Sequence, residues 1–222
     1  MCFILRFSLL SIIRKEIYMT YSYHILSKKL FWLNKRIFDI FMSLFLLPVV
    51  FIIGIILFMF NRFFNPGELF FIQERMGKNC EVFFAIKFRT MSFVPEITRK
   101  YDEPIEANRI TPLGGILRKT RIDELPQIFN VLKGEMSLIG PRPDYYQHAL
   151  EYLKNIEGYR ERHTIRPGIT GLSQVRLGYA ESLEATSNKT SVDNYYIKNI
   201  GYIIDIKIIF STLLIIITGL GK

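Results

Sequence analysis

Two adjacent carboxylates, Asp123 and Glu124, stand in a short run with Arg118, Lys119 and Arg121 upstream and Arg142 downstream. Acids and guanidinium groups held this close suit phosphoryl transfer. One carboxylate can attack phosphorus, a metal can share the second, and guanidinium groups can hold phosphate oxygens in paired hydrogen bonds. Arg142 lies in Gly140-Pro141-Arg142-Pro143, where two prolines and a glycine argue for a side chain held in a fixed direction. A plain structural reading stands beside this one. Acids at a helix start cap it and complement its dipole. The same helix start also offers free N–H groups that suit a phosphate. Lys87 and Arg89 flank Phe88 on a predicted strand and so share one face, as solvated strand charges also do. His24, His148 and His163 have no partner pattern. No P-loop, dinucleotide fingerprint or Ser-His-Asp arrangement is present, which leaves nucleotide hydrolysis and acyl transfer without support.

The elements that must position these residues read as follows. From Ile122, the apolar residues Leu125, Ile128, Phe129 and Leu132 recur at helical spacing. Pro126 fits the first turn of that helix, which places Asp123 and Glu124 at its start. Residues 69–73 and 81–88 read as two brief strands joined by Gly77-Lys78-Asn79. Residues 90–108 are polar, hold Pro95 and Pro104, and read as a surface loop. A second amphipathic helix follows Pro143, with Tyr146, Ala149, Leu150, Leu153 and Ile156 on one stripe. Residues 166–175 are glycine-punctuated and read as loop and strand.

Residues 40–60 carry no charge. As a straight helix they would run about 31 Å, roughly the thickness of a bilayer core. Lys35 and Arg36 precede the stretch and Arg62 follows it, so flanking charge gives a simple span no orientation. Pro48 near the middle removes a backbone hydrogen bond and predicts a kink. On these grounds a kinked spanning helix and a bent, re-entrant helix stand level. Residues 1–33 are apolar and basic, which predicts an interfacial segment; Met19 is an alternative start. Residues 200–221 are apolar but interrupted by Asp205 and Lys207, which suits a helix lying in the interface.

Lys plus Arg outnumber Asp plus Glu by 29 to 20 in 222 residues, a formal charge of +9. Such an excess suits nucleic acid, anionic headgroups or phosphorylated small molecules. Half the residues are hydrophobic, which favours the membrane. Cys2 and Cys80 are far apart and lack neighbours at metal spacing, so neither a disulfide scaffold nor a zinc site is expected.

Five blocks, KRIFD (35–39), KFRTM (87–91), LRKTRIDELPQIFNVLKGEMSLIGPRP (117–143), RPGITGLSQV (166–175) and DNYYIKN (193–199), closely resemble the bacterial sugar transferase family. These are monotopic polyprenyl-phosphate phosphoglycosyl transferases, and the resemblance runs from about Leu33 to the C-terminus. It implies an α/β, mostly helical, monotopic membrane protein of the small form. Residues 1–33 would be an N-terminal extension and 34–64 a re-entrant helix, with Lys35, Arg36 and Asp39 at its mouth and Pro48 at its break. Residues 65–222 would form a small catalytic domain with interfacial helices, on the cytoplasmic face of a bacterial inner membrane. The implied reaction moves a sugar-1-phosphate from a UDP-sugar to undecaprenyl phosphate, releasing UMP and beginning a surface glycan. By the same resemblance Asp123 forms a covalent phosphosugar intermediate, and Asp123 and Glu124 hold Mg²⁺. Arg118 and Arg142 contact phosphate, and Lys87 and Arg89 are further candidates. Membrane lipids and a second copy of the chain are candidate partners; nucleic acid is not. Two positions depart from the family pattern: Leu47 stands where serine is common, leaving Ser43 to bond the freed backbone, and Ser173 stands where a bulkier residue is common. The alternative from another class is a non-catalytic, membrane-anchored scaffold for glycan-assembly enzymes, which would not need the carboxylate pair.

Overall fold

The structure is a computed structural model that describes residues 2–94, 101, 103, 106–178 and 182–218. Among these the chain is mostly helical, with two small two-stranded sheets. It divides into two units, Met1–Phe38 and Asp39–Lys222.

Helix α1 (Cys2–Phe64) passes from the first unit into the second, and its helical assignment runs through Pro48. Ser27–Asn61 is long and apolar enough to cross a membrane, with a mean hydropathy of 3.0 over its best window. In the first unit, Phe31 and Trp32 meet edge to face at 5.4 Å. In the second, Phe41, Phe45, Phe51, Ile52 and Phe58 are exposed, whereas Val50 and Leu57 pack with Phe88, Leu117 and Ile128 in an apolar core. Asp39 Oδ1 accepts a hydrogen bond from the backbone N–H of Leu138 at 3.0 Å. Ser43, expected to bond the backbone freed by Pro48, is buried with no hydrogen bond at its Oγ.

Strands β1 (Phe70–Met76) and β2 (Val82–Phe88) form an antiparallel hairpin, close to the strands read from the sequence. Phe71 pairs with Lys87, Gln73 with Ala85 and Arg75 with Phe83. Helix α2 (Pro112–Lys119) starts where Thr111 accepts the N–H of Gly114 at 3.0 Å, with Pro112 in the first turn. The carboxylate pair follows, but not at the start of an α-helix. Ile122–Gln127 is a 3₁₀ turn, and helix α3 (Ile128–Lys133) begins only after it. Pro126 accounts for the difference: it lacks an N–H and disfavours α geometry in the residue before it. Asp123 therefore does not cap the helix. The residue preceding the turn is Arg121, in the left-handed conformation with φ 59°, and no side chain caps the turn. Gly134, at φ 88°, closes α3 in the manner glycine allows.

Strands β3 (Ser137–Ile139) and β4 (Gly168–Thr170) pair in parallel. Helix α4 (Tyr146–Asn155) buries Ala149 and Tyr152 against Met76, Ile156 and Tyr159, as its apolar stripe predicts. Helices α5 (Leu172–Leu177), α6 (Leu183–Lys198) and α7 (Tyr202–Thr218) follow. On α7, Ile208 joins the core while Ile203, Phe210, Leu214 and Ile217 are exposed. The 90–108 loop lies partly outside the described residues; within them, Met91 bridges Ile110 and Ala107–Arg109 forms one 3₁₀ turn.

Candidate active site

The site is built where the 3₁₀ turn packs against β2. Asn130 on α3, fully buried, fixes the strand from one side. Its Oδ1 accepts from Ile86 N at 3.1 Å and its Nδ2 donates to Phe84 O at 2.7 Å. That anchors the residue next to Lys87 and brings the ammonium group to Glu124.

Glu124 is the electrostatic centre. Lys87 Nζ donates to its Oε1 at 2.9 Å, Arg142 Nη1 donates to its Oε2 at 2.8 Å, and Arg142 Nη2 donates to Oε1. Arg121 Nη1 lies 3.8 Å from Oε2. Burial alone would raise the Glu124 carboxyl, but Arg142 and Lys87 outweigh it and hold it well below the usual range. Lys87 is lowered to about 8 by burial, with Arg142 and Arg75 adding to the effect and Glu124 opposing it.

Asp123 is the opposite case. Its side chain is buried, and its Oδ1 has no hydrogen-bond partner. Burial, reinforced by Glu124, pushes its carboxyl up to about 6 against the pull of Lys87, Arg142 and Arg118. One carboxylate of the pair is thus compensated by ion pairs, and the other keeps an oxygen without a hydrogen bond. Perturbations of opposite sign on adjacent acids mark candidate functional centres. Arg118, at the end of α2, also has a buried Nη1 with no hydrogen-bond partner. Its charge pulls the Asp123 carboxyl down, which places it within electrostatic reach of the pair.

Of the residues singled out by sequence, Asp123, Glu124, Lys87, Arg118 and Arg142 come together. Arg89 does not. It lies past the end of β2 and donates to the backbone carbonyls of Asn65, Pro66 at 2.8 Å and Glu68 at 2.7 Å. Alternation predicts one face for Lys87 and Arg89 only while the strand continues, and it stops at Phe88. Lys35 and Arg36 lie on α1 in the first unit, Asp39 bonds β3, and Pro48 is exposed on α1.

Two residues not singled out by sequence also face this region. Arg75 and Gln127 line a small cavity with Lys87, Ala85, Arg142 and Pro143. Arg75 gives no separate signal because it follows Gln73 and Glu74 and reads as one more solvated strand charge, and Gln127 gives none because neutral amides carry no charge.

Among the described residues, no group of three or more His, Cys, Asp or Glu could hold a metal. Mg²⁺ at phosphates requires less, because one or two carboxylates suffice when water and phosphate oxygens supply the rest. The unpartnered Oδ1 of Asp123 meets that requirement. Both oxygens of Glu124 are already in ion pairs, so an ion binding there displaces Lys87 or Arg142.

The sequence of residues 30–219 matches the family model described as bacterial sugar transferase. The chain is 44% identical over 157 residues to an Aeromonas hydrophila UDP-N-acetylgalactosamine-undecaprenyl-phosphate N-acetylgalactosaminephosphotransferase, covering 71% of the chain and 37% of that protein. It is 37% identical over 188 residues to the exopolysaccharide production protein PSS of Rhizobium leguminosarum bv. phaseoli, covering 80% and 92%. A Klebsiella pneumoniae UDP-glucose:undecaprenyl-phosphate glucose-1-phosphate transferase is 36% identical over 184 residues, covering 80% and 39%. The chain thus spans under two-fifths of the Aeromonas and Klebsiella proteins and nearly all of the Rhizobium one.

Proposed function

The chain belongs to the bacterial sugar transferase family, and we propose that it moves a sugar-1-phosphate from a UDP-sugar to undecaprenyl phosphate with release of UMP. The observation that carries this reading is the split carboxylate pair: Asp123 with an unpartnered buried oxygen, beside a Glu124 neutralised by Lys87 and Arg142. In the first half-reaction a carboxylate oxygen of Asp123 attacks the β-phosphorus. The bond from that phosphorus to the oxygen bridging the α-phosphorus breaks, and UMP leaves with the electron pair. The product is a phosphosugar held on Asp123 as a mixed anhydride. A phosphate oxygen of the lipid then attacks the same phosphorus, and the Asp123 carboxylate leaves.

The side chains divide the labour. Arg118 and Arg142 hold phosphate oxygens, and Lys87 keeps positive charge beside the attack. Glu124 holds Arg142 and Lys87 in place, so that these cations are ordered before substrate arrives. Asp123 is the residue that would hold Mg²⁺, which supplies charge neutralisation at the phosphates when bound.

The relatives' printed names divide between N-acetylgalactosamine and glucose, so the donor is left as a UDP-sugar. We place the protein on the cytoplasmic face of a bacterial inner membrane, as a monotopic protein with residues 34–64 in the bilayer and 65–222 catalytic. Support comes from both ends of the Asp39–Phe64 part of α1. Asp39 bonds Leu138, Asn65 just after the helix donates to Arg89 O at 2.8 Å, and Val50 and Leu57 between them pack on the core. A helix leading to the far side of a bilayer would not return its second end to the same body. The exposed apolar face of α7 suits a helix lying in the interface.

The deciding experiment is UMP release from a panel of UDP-sugars in membranes containing undecaprenyl phosphate. Wild-type protein should release UMP from at least one donor, and Asp123→Asn should not. Release that survives the substitution rejects Asp123 as nucleophile. No release from any donor favours a scaffold.

A further inference from the structure

Four consecutive carbonyls of the arginine-bearing turn each accept a hydrogen bond. Pro141 O accepts from Gly168 N at 2.9 Å and Arg142 O from Arg162 Nη2 at 2.7 Å. Pro143 O accepts from Arg75 Nη1 at 3.2 Å and Asp144 O from Met76 N at 3.1 Å. A turn connecting elements normally leaves such groups to water. The glycines tighten the grip: a Cβ on Gly168 would stand 2.1 Å from Gly140 N, so this approach excludes any side chain.

Arg162 is the most expensive part of this clamp. It is fully buried, on a 3₁₀ turn (Glu161–His163), and lies between two carboxylates. Nη1 donates to Asp144 Oδ2, and Nη2 is 2.8 Å from Asp193 Oδ2. Lys189 and Tyr159 complete the shell of Asp144, each donating at 2.8 Å. His163 beside them is lowered to about 4 by burial and adds no charge near neutral pH. Two acids balance two cations, so the cluster is neutral and self-contained. A buried guanidinium with such costly compensation is a poor way to gain stability alone. Its hydrogen bond to Arg142 O leads out of the cluster towards the site.

We propose that Arg162 is a positioning residue: it fixes the backbone from which the Arg142 guanidinium reaches Glu124. The Asp144–Lys189–Asp193 shell holds Arg162 in the one orientation that leaves a donor for that carbonyl. Its effect on turnover rests on the reaction proposed above; its effect on Arg142 does not.

Arg162→Lys tests this, because lysine preserves the buried charge balance but has no second nitrogen to span Asp144 and Arg142 O. UMP release should fall about 10- to 100-fold, the scale expected for a small displacement of a positioned group. In an Arg142→Ala background the same substitution should cause no further loss, because its target is gone. A purely structural role would slow both backgrounds alike and would overturn the proposal. Phenylglyoxal modification of Arg142, followed by mass spectrometry, gives a readout without turnover. It should be several-fold faster in Arg162→Lys than in wild type, and an unchanged rate overturns the clamp. Should Arg162→Lys fail to fold, the charge-neutral pair Arg162→Gln with Asp193→Asn carries the same two measurements. Wild-type protein that releases no UMP rejects the reaction, while the modification rate still decides the clamp.

Discussion

Arg142 and Glu124 face each other fork to fork, Nη1 on Oε2 at 2.8 Å and Nη2 on Oε1. Glu124, one of the two acids named as metal ligands by resemblance, is therefore the more tightly held, and the arginine reaches it from a turn in which the carbonyls of Pro141, Arg142, Pro143 and Asp144 each accept a hydrogen bond.

Glu124→Gln leaves Lys87 and Arg142 partly buried without their counter-charge. Removing one partner of a buried ion pair costs about 3–5 kcal/mol, so the variant should unfold at distinctly lower denaturant concentration than wild type. UMP release should fall with it. A variant with unchanged stability would mean that Lys87 and Arg142 find other partners.

Asp123→Asn should do the reverse, abolishing activity while raising stability. The Asp123 carboxyl moves from 3.8 in the unfolded chain to about 6 in the fold, so folding disfavours its charged form. The neutral amide escapes a penalty on the order of 1–3 kcal/mol. The sign fixes the pH window: the gain is absent below about pH 4, grows between about 4 and 6, and is constant above. Thermal melts of both proteins at pH 4 and pH 8, without divalent metal, check it.

The pH dependence of kcat/KM should be bell-shaped, with its acid limb near 6 from Asp123 and its basic limb near 8 from Lys87. Lys87→Met should remove the basic limb. Because Lys87 pulls the Asp123 carboxyl down, the same substitution should move the acid limb to higher pH. A basic limb that persists assigns it to another group.

Arg118 and Arg89 should separate binding from folding. Arg118→Met removes a guanidinium whose Nη1 has no hydrogen-bond partner, so KM for the UDP-sugar should rise with little change in stability. Arg89→Met orphans three carbonyls of residues 65–68, at about 1–3 kcal/mol for each buried group left unpaired. It should lower stability and leave the KM of the folded fraction unchanged.

Single cysteines at Asn34 and Phe64 should both label from the cytoplasmic side in intact cells. Labelling from opposite faces would establish a true span and reject the monotopic topology.

The hairpin, α4 and the carboxylate–arginine cluster were legible because each follows from local pattern: alternation, a 3.6-residue stripe, or charges crowded within a few residues. Helix α6 was not recognised beyond its DNYYIKN motif. It buries Thr186, Lys189, Thr190 and Asp193, a polar stripe that hydrophobic periodicity does not detect. The parallel pair β3–β4 has three residues per strand, too few for alternation to register. Arg162 and Asp144 were invisible for a related reason. Their meaning depends on partners 18 to 45 positions away, Asp144 with Arg162 and Lys189 and Arg162 with Asp193, rather than on neighbours in sequence. Pro126 marks the segment correctly, but its effect is the opposite of starting an α-helix at Asp123: it delays the helix and lifts Asp123 off the cap.

Arg89 has a mechanical consequence. It ties the residues just after α1 to the exit of β2, while Asn65 returns a bond of 2.8 Å to its carbonyl. Lys87 lies two residues upstream, about 7 Å along an extended strand. That short strut makes the end of the apolar helix a depth gauge: wherever the helix settles, the ammonium group beside Glu124 stands at a set height from it. A lipid-borne phosphate would then meet the reactive carboxylate at a level fixed by the backbone.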